Sequence, residues 1–300
     1  MQKLKTEIEA HFVRHLEEHF FWRQLAEESP AGFQAVRETL LAPGKRLRPL
    51  LFCAACRAAG REPFPDLMPI ALALELAHSF ILIHDDIIDR SAERRGKSTL
   101  PKRMDGLFAA QPADGFRGSD FALVTGDLLY TLAIESLLQA EASDSQKTEA
   151  VRLFTRAALD TGRGALLEMR AAQTPLDELT TEDIEKIYAL KTGSYTFALP
   201  LQLAACFSDV WKKDDPVFTT IGKYAGVAFQ LRNDQHDTDD LRDARRTWAL
   251  VYAGSKEALG DSGTLTAVKK AQEENTRCAL ASVDSPELSA LLKQVLSATA

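Results

Sequence analysis

Apolar residues recur every three or four positions along almost the whole chain, which is the pattern of a helix with one buried face. The alternation with a period of two that marks a half-buried strand is convincing nowhere. The pattern therefore predicts an all-α fold. The predicted helices cover approximately residues 3–22, 31–42, 46–60, 66–89, 117–141, 145–172, 181–208, 215–237, 240–254, 264–281 and 285–298.

Proline and glycine mark the joints between these helices, as in "APGKR", "GREPFPD" and "QPADGFRG". No Gly/Ser linker or change of composition divides the chain, so a single domain over residues 1–300 is expected. The sequence "TTED" predicts a capping box, with Thr180 as N-cap and Asp183 three residues later. The sequence "KTG" interrupts a helical stretch, and Gly193 predicts a local break there.

Composition and charge exclude several classes of protein. A hydrophobic content of 45% with 26% charged residues is typical of a soluble globular protein, and a net charge of −7 argues against a nucleic-acid binder. The first twenty residues lack the apolar core of a signal peptide, and the apolar run 67–83 carries Glu75 and His78, so it predicts a buried helix. These features predict a cytoplasmic protein without stable membrane insertion.

The four cysteines form no recognisable disulfide framework. Cys53 and Cys56 make a CxxC, but no second pair or histidine lies near them in the sequence. A core helix face is therefore the favoured interpretation, rather than zinc or redox chemistry.

Three aspartates lie near the end of the apolar helix predicted over 66–89. Asp85 and Asp89 share a helical face about 6 Å apart along the axis, His78 and Leu82 continue that stripe, and Asp86 lies beside it. Carboxylates so close raise each other's pKa unless a cation lies between them, and oxygen ligands at this spacing suit Mg²⁺. The alternative is a solvated helix end, which the helix dipole disfavours.

A second acidic face lies near the end of the helix predicted over 215–237. Gln230, Asn233, Asp234 and Asp237 fall at i, i+3, i+4 and i+7. Helix bundles build metal sites from acidic side chains that face each other, so Asp234 and Asp237 are candidate ligands from the opposite side of a bundle. Alone, these acids also fit a polar turn.

Short basic segments accompany the two acidic helices. Arginine forks match the oxygens of phosphate, and a helix start is a natural anion site. Each segment alone fits a solvated surface charge, but together with two carboxylate helices they indicate diphosphate ligands held by Mg²⁺ and by direct cations. They are Lys45 and Arg48 in "GKRLRP", Arg94 and Arg95 in "ERRGK", Lys191 in "KTG", and Arg245 and Arg246 in "ARRT".

In these stretches the chain resembles the trans-isoprenyl diphosphate synthases, the polyprenyl synthetase family. The resemblance runs in order from about residue 44 to residue 247, and the combination "LIHDDIID" with "RRGK" is its most specific part. The matched stretches are "GKRLRP", "ELAHSFILIHDDIID", "ERRGK", "GDLLY", "KTGSYTF", "FQLRNDQHD" and "DLRDARRT".

The resemblance implies an isoprenoid synthase helical bundle, usually a homodimer, that condenses an allylic diphosphate with isopentenyl diphosphate head to tail. It implies Mg²⁺, three ions in each active site, as the cofactor. Its implied residues are as follows: Asp85, Asp86, Asp89, Asp234 and Asp237 for the metal; Lys45, Arg48, His78 and Arg95 for isopentenyl diphosphate; Arg94, Lys191 and Arg245 for the allylic diphosphate; and Thr192 and Gln230 facing the allylic cation.

The chain departs from the family pattern at three places. The second aspartate motif opens with Asn233 instead of an aspartate, which weakens one expected metal ligand. In "GALLEM", Ala165 stands where the family often has glutamine, and Glu168 stands where it has aspartate. The usual glycine- and lysine-bearing loop after the second motif is missing.

In this family a bulky residue five positions before the first motif limits the length of the product. Phe80 holds that position, whereas Ile81 stands where farnesyl-specific relatives usually add a second aromatic. Geranylgeranyl diphosphate is therefore the predicted product, with farnesyl diphosphate next. The alternative is that Phe80 turns into the neighbouring helix as an ordinary core residue. Alternatives are a prenyltransferase for another acceptor, such as a peptide, and a non-catalytic subunit of a heteromeric synthase. The intact first motif opposes the latter.

Three histidines recur at four-residue spacing near the start of the chain, at His11, His15 and His19. The spacing permits a transition-metal clamp, but the polar stripe of an amphipathic helix explains it as well. The second interpretation is favoured.

Overall fold

The computed structural model describes residues 2–94, 96–109, 115–209, 211–212, 215–234 and 246–297, and nearly all regular structure there is helical. The chain divides into two compact units, Met1–Leu50 with Pro63–Ser143, and Leu51–Glu62 with Asp144–Ala300. Helix α4 (Leu47–Ala58) begins in the first and continues in the second. Its Cys53 and Cys56 are buried free thiols, which confirms the core-face interpretation of the CxxC.

The first unit is centred on α5 and α7, which pack along each other. Buried residues cover almost every side of the first half of α5, as the long apolar run predicts. The remaining elements are arranged around this pair. In chain order the first unit contains α1 (Gln2–Glu18), α2 (Phe20–Glu28), α3 (Pro30–Leu40), α5 (Met68–Ile88), β1 (Glu93–Arg94), β2 (Lys97–Ser98), α6 (Leu100–Ala109) and α7 (Gly118–Leu138).

The helix predicted over 3–22 is wrong at His19, which has an extended backbone (φ −68°, ψ 132°) and separates α1 from α2. Up to that point α1 buries a row at four-residue spacing that ends at Leu16. A continuous helix would have buried Phe20 next, because residues four apart share a face. Instead Phe20 is 58% exposed and Trp22 is 1% exposed, because the break changes which face points inward.

Three elements between α5 and α7 were not predicted, namely the strands β1 and β2 and the helix α6. The strands β1 and β2 form an antiparallel hairpin in which Glu93 lies opposite Ser98 and Arg94 opposite Lys97. Positive φ angles at Arg90 (54°) and Gly96 (70°) turn the chain before and within this hairpin. Strands of two residues are too short to show alternation, so the sequence pattern could not reveal them.

The second unit packs α11 against α13 and against the segment that follows α9. The predicted capping box is confirmed, since the Thr180 side chain accepts from the N–H of Asp183, and the Asp183 carboxylate accepts from the N–H of Thr180. The elements are α8 (Asp144–Gln173), a 3₁₀ turn (Leu176–Glu178), α9 (Thr181–Tyr188), a π-helical segment (Ala189–Ala198), α10 (Leu199–Cys206), α11 (Pro216–Asp234), α12 (Trp248–Ala253), a 3₁₀ turn (Glu257–Gly260), α13 (Ser262–Ala281) and α14 (Pro286–Ser297).

The local break expected at Gly193 takes the form of a π-helical segment, which interrupts the α-helix while the chain stays helical. Glycine is needed at this point for close packing. A Cβ on Gly193 would lie 2.4 Å from the carbonyl oxygen of Gly222, and one on Gly226 would lie 2.4 Å from the Cα of Gly193. On the other side, a Cβ on Gly164 would lie 2.5 Å from the backbone nitrogen of Lys191. The glycines therefore let α8 and α11 touch the π-helical backbone.

Helix α11 is described as far as Asp234. The helix predicted over 240–254 is wrong at residues 246 and 247, because α12 begins at Trp248. The predictions for residues 235–245 lie outside the described residues.

Among the described residues, α7 is the one helix that is long and apolar enough to cross a membrane by length and composition alone. Only 44% of its most apolar window is buried, so α7 leaves an apolar surface uncovered within the first unit. That surface contains Leu123, Val124, Leu128 and Leu138.

Candidate active site

The three aspartates at the end of α5 have different surroundings. Asp85 and Asp89 are both half-buried and lie one helical turn apart, with the Asp89 N–H donating to the Asp85 carbonyl at 2.8 Å. Asp86 is buried, at 5% exposure. The predicted acidic face is therefore present, but only two of its carboxylates reach solvent to any extent.

The carboxylate of Asp86 pairs with Arg94. Both the Nε and an Nη of Arg94 lie 2.8 Å from the same Asp86 oxygen. Burial raises the pKa of Asp86, and the Arg94 ion pair opposes that shift. The backbone repeats the connection, since Ser91 donates to the Asp86 carbonyl at 3.0 Å. From the sequence, the aspartates were expected to bind Mg²⁺ and the arginines to bind diphosphate. In the structure, one aspartate, Asp86, instead pairs with one arginine, Arg94.

The donor set at the end of α5 fits Mg²⁺, which takes carboxylate oxygens and keeps several waters or phosphate oxygens. Asp85 and Asp89 are the residues that would hold it. The buried ion pair with Arg94 makes Asp86 a poorer candidate ligand than the sequence suggested. Within the described ranges no group of three His, Cys, Asp or Glu side chains is gathered, so a metal here would need ligands from outside this helix end.

The residues predicted for isopentenyl diphosphate surround the start of α4 and the middle of α5, both within the first unit. Lys45 is exposed just before α4, Arg48 is buried in its first turn, and His78 is half-buried on α5. Arg95 lies outside the described residues. Lys45 and Arg48 flank Arg46, whose contacts were not foreseen and are described below.

In the second unit, Lys191 on the π-helical segment donates to Glu168 of α8 at 2.6 Å. Both side chains remain partly exposed, at 20% and 34%. Glu168 therefore holds the Lys191 ammonium in one place while leaving part of it accessible. This contact gives the unusual "GALLEM" glutamate a defined role in placing a predicted site residue.

A second polar chain links the π-helical segment with the end of α11. The Thr192 hydroxyl contacts the Gln230 side-chain oxygen at 3.5 Å, and the Gln230 amide contacts Asp234 at 3.4 Å. The other Asp234 oxygen accepts from the hydroxyl of Tyr188, and that hydroxyl accepts from the N–H of Trp248 at 3.1 Å. The structure thus brings the predicted site residues Thr192, Gln230 and Asp234 into one polar chain.

Sequence reasoning missed Tyr188, although its position three residues before Lys191 on the same helical run was a usable signal. Asn233 is half-buried next to Asp234, at the end of α11. The remaining predicted residues of this region, Asp237 and Arg245, lie outside the described residues.

The residues predicted to limit product length lie between α5 and α7. The Phe80 ring packs against Tyr130 of α7, with ring centroids 5.3 Å apart, and edge-on against His84 at 4.6 Å. His84 in turn requires a glycine opposite, because a Cβ on Gly126 would lie 2.2 Å from its ring. Ile81 is half-buried beside Phe80. An aromatic pair, and not a single side chain, therefore occupies this position.

Two of the three N-terminal histidines pack against each other. The His15 and His19 rings pack 4.7 Å apart, and His19 lies 3.4 Å from a carboxylate oxygen of Glu135. In the part of the chain that the structure describes, no three His, Cys, Asp or Glu side chains are grouped so that they could hold a metal ion. The favoured interpretation of a polar helix stripe is consistent with this packing.

Comparisons with known proteins identify the family. The chain is 28% identical to the geranylfarnesyl diphosphate synthase of Aeropyrum pernix over 82% of this chain and 78% of that protein. It is 30% identical to the farnesyl diphosphate synthase of Geobacillus stearothermophilus, over 77% and 80%.

The fold matches that of the geranylgeranyl pyrophosphate synthase of Corynebacterium glutamicum, which was crystallised with isoprenyl diphosphate and magnesium. The TM-score is 0.85 at 23% identity, over 98% of each chain, so the all-α isoprenyl synthase fold is shared. The Polyprenyl synthetase profile matches residues 31–281, which is most of the sequence, and the chain belongs to that family.

Proposed function

We propose that this protein condenses an allylic diphosphate with isopentenyl diphosphate head to tail and releases mainly geranylgeranyl diphosphate. Head-to-tail prenyl elongation is the reaction for which its relatives are named. The observation that carries the proposal is the pair Asp85 and Asp89, half-exposed one turn apart at the end of α5. Such a pair suits Mg²⁺ bound together with a diphosphate.

The chemistry explains why these residue types are present. Cleavage of an allylic C–O bond leaves negative charge on the departing diphosphate, and Mg²⁺, proposed here as three ions, would supply Lewis-acid stabilisation of that charge. In the first unit Asp85 and Asp89 would hold Mg²⁺, and in the second unit Asp234 is the candidate ligand. Arg94 in the first unit and Lys191 in the second, each fixed by a carboxylate partner, are candidate direct cations for diphosphate. Preorganised charge of this kind stabilises the transition state without rearrangement during the reaction.

The hydrogen-bonded polar residues of the second unit are proposed to stabilise the allylic cation. Thr192 and Gln230 present oxygen atoms whose position is fixed through Asp234 and Tyr188. Oriented dipoles of this kind stabilise an allylic cation without attacking it, because neither side chain is a strong nucleophile. Lys45, Arg48 and His78, with Arg95, would bind isopentenyl diphosphate through charge-assisted hydrogen bonds.

Product length is assigned from the aromatic pair Phe80 and Tyr130. The prenyl chain is proposed to grow from the aspartates along α5 toward these rings, about one to two turns earlier in the helix. Ile81 leaves more room than an aromatic residue at that position would. A geranylgeranyl product is therefore favoured over the shorter farnesyl product.

Product analysis of Phe80→Ala beside wild type tests this assignment. Loss of the ring removes one member of the pair with Tyr130, so the main product is expected to lengthen by at least one isoprene unit. Phe108→Ala is the matched control, because Phe108 packs on Phe121 instead. An unchanged product from Phe80→Ala would show that Phe80 does not limit the chain.

We also propose a cytoplasmic homodimer. The exposed apolar residues of α7 support it, as does an exposed stripe on α8 with Leu159, Leu166 and Met169. Large exposed apolar side chains grouped on one helix commonly mark a protein interface. Light scattering is expected to give twice the mass of one chain for wild type and the mass of one chain for Leu166→Glu. A monomeric wild type, or its recovery in the membrane fraction, would contradict the proposal.

A further inference from the structure

Arg46, in "GKRLRP", is the basic residue of that motif to which no function has been assigned. Its side chain is 8% exposed, although it is flanked by the exposed Lys45. Its backbone has a positive φ of 48°, which is unfavourable for a residue with a side chain. A strained backbone at a buried arginine requires contacts that hold it, and the structure shows them.

The guanidinium of Arg46 joins the chain before α4 to helix α5. One Nη donates to the carboxylate of Glu75 at 2.9 Å, and Glu75 is 3% exposed. The other Nη donates to the carbonyl oxygens of Leu40 and Ala42 at 3.3 and 3.2 Å. The arginine therefore fixes the end of α3, the turn after it and α5 through one planar group.

Helix α1 covers this contact on the remaining side. The carboxylate of Glu9 lies 3.5 Å from the Nε of Arg46, and the guanidinium stacks over the ring of Phe12 with 5.6 Å between the guanidinium carbon and the ring centroid. Partial burial strengthens such charge and cation–π contacts, because water screens them less. The position of the loop thus depends on α1 as well as α5.

We propose that Arg46 is a positioning residue for isopentenyl diphosphate, and that it acts by holding Lys45 and Arg48 in register with His78. Lys45 and Arg48 lie one residue before and two residues after Arg46. His78 lies three residues after Glu75, on the same face of α5. The Arg46–Glu75 ion pair therefore links the two chain segments whose cations are assigned to that substrate. The inference rests on the proposed isopentenyl diphosphate site.

The test is steady-state kinetics of Arg46→Met and of the milder Glu75→Gln, with each substrate varied in turn. We expect the KM for isopentenyl diphosphate to rise by about tenfold or more, because misplaced cations lose contacts to it. The KM for the allylic diphosphate is expected to change by less than about twofold. Arg46→Lys, which keeps the charge but loses the planar fork, should fall between wild type and Arg46→Met.

Two further variants separate positioning from stability. Val36→Ala removes two buried methyl groups from α3 and should lower Tm without a selective change in either KM. The double variant Arg46→Met/Glu75→Gln should regain part of the Tm lost in Arg46→Met, because no buried charge is left unpaired. Its KM for isopentenyl diphosphate should nevertheless stay as high as in the single variants, since the two residues act as a unit.

The inference would be overturned if Arg46→Met lowered Tm and left the isopentenyl diphosphate KM unchanged, or if both KM values rose equally. It would also be overturned if Val36→Ala raised that KM selectively. A wild-type protein that fails to use isopentenyl diphosphate would instead refute the proposed function, and the two failures are therefore distinguishable.

Discussion

Asp85, Asp86 and Asp89 illustrate how neighbouring carboxylates on one helix take different tasks. The i and i+4 aspartates share a half-exposed face, whereas Asp86 is buried against Arg94. A metal is therefore expected to depend directly on Asp85 and Asp89. Asp86 is expected to act mainly through the hairpin that carries Arg94.

This difference predicts two kinds of defect. Asp85→Asn should lower turnover by orders of magnitude and raise the Mg²⁺ concentration for half-maximal rate, because it removes a ligand. Asp86→Asn should also lower turnover but leave the Mg²⁺ requirement close to that of wild type. Rate measurements across a Mg²⁺ titration check both. An equal shift of the Mg²⁺ requirement in the two variants would mean that Asp86 is a ligand.

A substitution at Asn233 tests whether Mg²⁺ binding can be strengthened. Asn233→Asp places a second anion next to Asp234, so the enzyme should stay active and reach half-maximal rate at a lower Mg²⁺ concentration. The same titration measures this. Complete loss of activity would instead show that the neutral amide of Asn233 has a specific role, and would favour an acceptor other than isopentenyl diphosphate.

Residue spacing predicted those parts of the site that lie within one helix. Asp85 with Asp89, and Gln230 with Asp234, follow from the helical repeat alone. The Arg46–Glu75 and Tyr188–Asp234 contacts join residues 29 and 46 positions apart, and no local pattern contains that information. Spacing also gave no sign that Asp86 would pair with Arg94.

At the scale of elements, the α-helices other than α6 were predicted from their periodicity. The hairpin and the π-helical segment were not. Both carry candidate site residues, Arg94 in the first case and Lys191 with Thr192 in the second. The two strands are too short for a period to appear. The π-helix keeps an apolar pattern close to that of an α-helix, and its difference lies in packing against the backbones of other helices.

That packing predicts a strong effect of a single methyl group. Gly226→Ala should destabilise the protein by about 1–3 kcal/mol, the usual cost of overpacking, and lower activity through Lys191 and Thr192. Gly106→Ala in α6 is the matched control, because nothing lies within 4 Å of its added Cβ. That variant should be neutral or more stable by up to about 1 kcal/mol. Denaturant unfolding measures both, and equal stabilities would refute the close-packing explanation.

At the scale of the whole molecule, stability should depend on pH through the histidines of α1. Burial, together with the nearby His19 and His11, lowers the pKa of His15 from 6.5 to about 4. In the unfolded chain His15 therefore binds a proton below about pH 6.5, whereas in the folded protein it binds one only below about pH 4. This group consequently lowers stability as pH falls through that interval, by at most about 1.4 kcal/mol per pH unit.

His15→Leu should remove this dependence. The difference in unfolding free energy between variant and wild type is expected to move in favour of the variant as pH falls from 7 to 5. Taking the difference cancels the titration of groups common to both proteins, including Glu135 beside His19. Parallel stability curves across this range would show that His15 is not the group responsible.

The central claim is that this chain joins an allylic diphosphate to isopentenyl diphosphate. The most direct measurement is incubation of the purified protein with Mg²⁺, radiolabelled isopentenyl diphosphate and, in separate reactions, dimethylallyl, geranyl or farnesyl diphosphate. Label should appear in geranylgeranyl diphosphate and disappear when Mg²⁺ is chelated. If no label entered a longer prenyl diphosphate with any of the three primers, the account would be contradicted.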